Sequence, residues 1–147
     1  MDVNLKRDRM VYFMNEFRLY RGGFRKLVAW QEAHRLSLFV YELTAQFPER
    51  EKYGVTDQMR RAANSVGANI AEGSSRRTVK DQNSFYINAR SSLVEVDNFA
   101  ELVHDLKYIN DDQYRQLLEK INKVGYLIFR LLNRNSQPIP PKKLIPQ

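Results

Sequence analysis

Residues 60–77 read RRAANSVGANIAEGSSRR, and the reading of this stretch decides the fold. In a chain of 147 residues that is 28% charged, Ala62 to Ala71 carry no charge, no aromatic ring and no side chain larger than Ile70. Arg60-Arg61 and Arg76-Arg77 close the block on either side. Small side chains let neighbouring backbones approach closely, because ridges pack into grooves best when the ridges are low. Val66 and Ile70 continue a helical phase set by Met59. The block therefore reads as a central packing helix, ended by Gly73 and followed by a basic turn.

Within this helix Val55, Met59, Ala62, Val66 and Ile70 form a core line, and Thr56 is the expected N-cap, with Asp57 in the first turn. Arg61, Ser65, Ala68 and Glu72 run along the far side, small in the middle and charged at the ends. That line reads as a packing surface rather than a solvated face. Upstream, a helix over about 24–46 carries Ala29, Ala33, Leu36, Val40, Leu43 and Phe47 at steps of four and three. A second stripe, Leu27, Trp30, His34, Leu38, Tyr41 and Ala45, lies about a third of a turn away, more apolar surface than one bundle needs. Phe47-Pro48 ends this helix.

Downstream, Thr78 and Asp81 form a capping-box variant for a helix over about 79–107. Its core line is Phe85, Ala89, Val96, Ala100 and Val103, with Ser92 and Leu93 completing the phase and Ile87, Val94 and Leu102 as a weaker second line. Asp111 is the expected N-cap of the last helix, where Tyr114, Leu117, Ile121, Val124, Ile128 and Leu131 step by three and four to about residue 133. The expected fold class is all-α: an antiparallel up-and-down four-helix bundle over 24–134. Residues 1–23 form an extension, readable as a basic amphipathic helix through Met10, Met14 and Phe17 or as disordered chain. The proline-rich tail 135–147 is expected to be extended or disordered. The second stripes point to self-association, with Trp30, His34, Leu38, Tyr41, Arg61, Ser65, Ala68 and Glu72 as the interface.

Net charge is +7. Residues 1–26 hold seven Lys/Arg against three acids and residues 135–147 hold two Lys and no acid, so basicity concentrates in the tails. There is no cysteine, which removes disulfides, thiol catalysis and Cys-based zinc sites. No apolar run reaches the roughly 20 residues of a membrane span, and a cytoplasmic protein without membrane partners is expected.

The segments FRKLVAWQEAHRL (24–36), VYELTAQFPEREKYGVTDQMRRAANSVGANIAEGSSR (40–76) and FYINARSSLVEVDN (85–98) resemble the four-helix-bundle proteins encoded within intervening sequences of bacterial 23S ribosomal RNA genes. Trp30-Gln31, Phe47-Pro48, Gln58, Arg61-Ala62, Ser65, Asn69 to Gly73, and Ser92-Leu93 with Glu95 carry the likeness. Gly67 stands where that pattern has proline. The resemblance implies an antiparallel bundle assembling into ring-like homo-oligomers, typically pentamers, and no enzymatic activity. Related accessory proteins of diversity-generating retroelements bind nucleic acid and a reverse transcriptase. The resemblance thus points to RNA or DNA and a nucleic-acid-processing protein as partners.

Catalytic motifs are sparse. Glu101-x-x-His104 is half of a di-metal bundle signature, which needs a second copy on another helix; no metal, cofactor or catalytic residue is expected. Glu72 and Glu95 sit among small or apolar neighbours, and Arg61 or Arg60 is the expected charge partner. Arg60, Arg61, Arg76, Arg77 and Lys80 are the candidate phosphate contacts, joined by Lys6, Arg7, Arg9, Lys142 and Lys143 in the tails. The leading expectation is a non-enzymatic homo-oligomeric scaffold that contacts RNA or DNA. The alternative is a protein–protein scaffold without nucleic acid.

Overall fold

The structure, a computed structural model, describes residues 9–11 and 23–136. Four helices carry the fold: α1 (Val28–Thr44), α2 (Val55–Ser74), α3 (Val79–Asp105) and α4 (Asp111–Ser136), with 3-10 turns at Phe24–Lys26 and Glu49–Glu51. There is no strand among the described residues. Each helix packs against two neighbours, α1 on α2 and α4, and α3 on α2 and α4. Short connections make successive helices antiparallel. The beginning of α1, the end of α2, the beginning of α3 and the end of α4 thus share one end of the bundle. Met10 and Val11 are helical and exposed; Met14, Phe17, the tail lysines and Lys6 and Arg7 lie outside the described residues.

The core follows the helical periodicity. Ala29, Ala33, Leu36, Val40 and Leu43 of α1 meet Met59, Ala62, Val66 and Ile70 of α2. Ala89, Leu93, Val96, Ala100 and Val103 of α3 and Leu117, Ile121, Val124 and Ile128 of α4 complete it. Tyr86 and Phe99 are also buried, whereas Phe85, expected in the core line, is only half-buried.

Helix ends depart from the sequence expectation in four places. Leu27 is extended (φ −74°, ψ 122°), so the expected first helix divides into a 3-10 turn and α1. Gly54, not Thr56, precedes α2; Thr56 is buried in the first turn, and the Glu51 carboxylate accepts from the Val55 N–H at 3.3 Å. Asn110, not Asp111, caps α4: its Oδ1 accepts from the Gln113 N–H at 2.8 Å while Gln113 Oε1 accepts from the Asn110 N–H at 2.9 Å, a reciprocal capping box. Gly73 does not end α2, which runs on to Ser74. It is buried where α3 crosses, and a Cβ there would lie 2.8 Å from a Tyr86 ring carbon and 3.0 Å from the Phe85 Cβ. Thr78 caps α3 as expected, accepting from the Asp81 N–H at 3.2 Å.

Candidate functional site

Two surfaces carry the candidate residues. The first lies over the seam between α1 and α2. The helical step places Trp30, His34, Leu38 and Tyr41 along one side of α1. Phe24 meets Trp30 edge-on at 4.9 Å between ring centroids, and Trp30 stacks on His34 at 5.0 Å. Tyr41 accepts a hydrogen bond from Asn64 of α2 at 3.0 Å, and Arg60 lies over its ring at 4.6 Å. Leu38 is 59% exposed and Tyr41 43% exposed. On α2, Ala68 and Glu72 line a shallow groove of about 490 Å³ with Phe24, Ala71 and Ser75.

Not every residue assigned to that surface belongs to it. Trp30 is half-buried and packed against the core. Ser65 turns toward α3, where its hydroxyl bonds Ser92 at 2.9 Å and accepts from Asn69 at 3.1 Å, so it holds two helices of one chain together. Glu72 and Glu95 are both exposed, which removes the reason to expect a buried carboxylate in need of a partner. The partner of Glu72 is Arg76 at 2.6 Å, not Arg61 or Arg60. Arg61 pairs with Asp57 at 2.9 Å, and Arg60 donates to the Thr44 hydroxyl at 2.8 Å.

The second surface is the basic turn between α2 and α3. Arg76, Arg77 and Lys80 gather there, all exposed. Arg76 is held by Glu72 and lies over Phe85 at 4.5 Å. Arg77 and Lys80 make no ion pair among the described residues. Arg60 and Arg61 are not part of this cluster: at 1.5 Å per residue they stand ~24 Å away, near the other end of α2.

The Glu101–His104 pair has a structural role. His104 donates to Asp111 at 2.8 Å and stacks on Tyr114 at 4.1 Å between centroids, while the Tyr114 hydroxyl donates to Glu101. This arrangement locks the end of α3 to the start of α4. The hydrogen bond to Glu101 pushes the Tyr114 phenol up to about 12, and the hydrogen bond from His104 holds the Asp111 carboxyl below its usual range. Among the described residues no three His, Asp or Glu side chains are grouped as metal ligands, and no helix is long and apolar enough to cross a membrane.

Sequence reasoning missed a further exposed apolar set. Ile87 (44% exposed) and Val94 (64%) on α3 belong to the weaker second line, but Tyr126 and Phe129 on α4, each 58% exposed, stand on no line read from the sequence. Their signal was a three-residue step off the core phase.

A family model described as 23S rRNA-intervening sequence protein matches residues 25–130. No curated protein matches the chain. Among solved structures, a protein of unknown function from the S23 ribosomal protein family of Bacteroides thetaiotaomicron is 19% identical. The match covers 71% of this chain and 98% of that chain, with a TM-score of 0.65, and it supports the fold.

Proposed function

The chain belongs to the 23S rRNA-intervening sequence protein family, and from that premise we propose that it is a non-enzymatic scaffold that self-associates and contacts RNA or DNA in the cytoplasm through a basic surface. The observation that carries the nucleic-acid contact is the exposed Arg77 and Lys80, three residues apart across the start of α3 and without a carboxylate partner among the described residues. Arginine and lysine so placed suit phosphate oxygens.

Self-association is supported by two separate exposed apolar faces. Leu38 and Tyr41 lie over the α1–α2 seam; Ile87 and Val94 are exposed on α3, which does not pack on α1. Two unlike faces on different helices favour a head-to-tail contact, which closes into a ring when the rotation permits. Repetition around a ring would multiply a two-cation patch into a continuous one.

A gel-shift assay on structured RNA and duplex DNA at low and physiological salt tests the reading. Binding that falls steeply with salt is expected. A protein that binds neither at micromolar concentration would be a protein–protein scaffold instead, the reading that the exposed Tyr126 and Phe129 favour.

A further inference from the structure

We propose that nucleic acid docks end-on, against the end of the bundle that holds the α2–α3 turn, and not against the opposite end. The proposal rests on the nucleic-acid reading above and adds where and in which orientation the phosphate backbone is met. Three segments meet at this end: residues 23–31, 70–86 and 126–134. Together they hold seven Lys/Arg against two acids. Arg25 and Lys26 precede α1; Arg76, Arg77 and Lys80 flank the α2–α3 turn; Arg130 and Arg134 lie on the last turns of α4. The charge of Arg134 reaches the Tyr86 phenol on α3, which places it beside the same turn.

The other end is close to neutral. Residues 46–61 and 99–115 hold seven acids against six Lys/Arg. A 26-residue helix such as α4 is ~39 Å long, several times the Debye length of ~8 Å at physiological salt. The opposite end therefore does not cancel the field of the basic end.

Three of the arginines are also pre-positioned on rings. Arg25 lies 4.6 Å from the Phe24 centroid, Arg76 4.5 Å from Phe85 and Arg130 6.0 Å from Tyr126. Stacking limits the freedom of each guanidinium before it meets phosphate and lowers the entropy lost on binding. A surface dominated by cations, with its aromatic rings under guanidinium groups, suits a phosphate backbone. The core of a protein interface is depleted in charge.

The test uses the full chain, a labelled hairpin RNA and matched charge reversals at the two ends. Arg77→Glu with Lys80→Glu should weaken binding at least ~10-fold and reduce the log–log salt slope by ~1–2. Lys52→Glu with Arg115→Glu makes the same change in net charge at the opposite end and should alter affinity by less than ~3-fold. A photo-crosslinking residue in place of Arg77 should capture the RNA, and one in place of the exposed Tyr53 should not. Equal weakening by both pairs, or equal crosslinking from both positions, overturns end-on docking and leaves the nucleic-acid reading intact. Failure of the wild-type chain to bind the hairpin overturns both. Poly-glutamate displacing RNA at equal charge concentration overturns the choice of nucleic acid in favour of an acidic protein.

Discussion

Arg76 donates to Glu72 at 2.6 Å, one turn back along α2, and covers the Phe85 ring. Its neighbour Arg77 has neither restraint among the described residues. The two adjacent arginines therefore separate by role. Arg76→Ala should lower stability by ~0.3–0.5 kcal/mol, the value of an exposed ion pair one turn apart, plus a small stacking loss. Arg77→Ala should leave the melting temperature unchanged and reduce the salt slope of RNA binding by roughly 0.7–0.9. Paired melting curves and binding isotherms check both.

The two buried glycines of α2 should answer differently to a methyl group. At Gly67 a Cβ would make ordinary contacts with Trp30 at 3.8 Å and Ala33 at 3.9 Å. Gly67→Ala should be neutral or stabilise by up to ~1 kcal/mol through helix propensity. Gly73→Ala presses on Tyr86 and Phe85 and should destabilise by ~1–3 kcal/mol. Urea unfolding at fixed protein concentration distinguishes them.

Lys107 occupies the left-handed region at φ 64° where α3 ends. Its N–H donates to the His104 carbonyl and that of Tyr108 to the Val103 carbonyl, each at 2.9 Å, the Schellman pattern that usually places glycine at this position. Lys107→Gly should stabilise the protein by ~1 kcal/mol, and Lys107→Val should destabilise it. A loss of stability with glycine in thermal melts would contradict this account of the turn.

Stability should decline on acidification. Burial raises the Glu32 carboxyl, but the hydrogen bond from Lys123 and the charges of Arg35 and Lys123 outweigh it and leave the group below its ordinary 4.5. Asp111, through His104, and Asp112, through Arg115, lie below their ordinary 3.8. A depressed folded-state pKa contributes stability that is present above the unfolded value and is lost as pH falls through the folded one. The loss is therefore expected below about pH 4.5, and Glu32→Gln should flatten it in urea midpoints measured across that range.

Helices and core were legible because both rest on periodicity: every core residue named for α1 and α2 from Ala29 to Ile70 repeats at three or four and is buried or nearly so. What lies between helices was not. Ser65 has the same spacing whether it faces a neighbouring subunit or Ser92, and only the rotation of α2 against α3 decides. Asn110 and Asp111 are both good caps; the reciprocal Gln113 three residues after Asn110 was the signal that separated them. Gly73 looked like a terminator because glycine commonly ends helices, yet its reason is the close passage of Tyr86. The four candidate arginines and Lys80 look like one set in sequence, but the length of α2 separates Arg60 and Arg61 from the other three.

Sedimentation velocity of the full chain at micromolar concentration, in 0.15 M salt, tests the scaffold claim most directly. The account predicts a species several times the mass of one chain that shifts toward monomer when the exposed Leu38 is replaced in Leu38→Glu. A wild-type protein that sediments as a monomer across that range would contradict it.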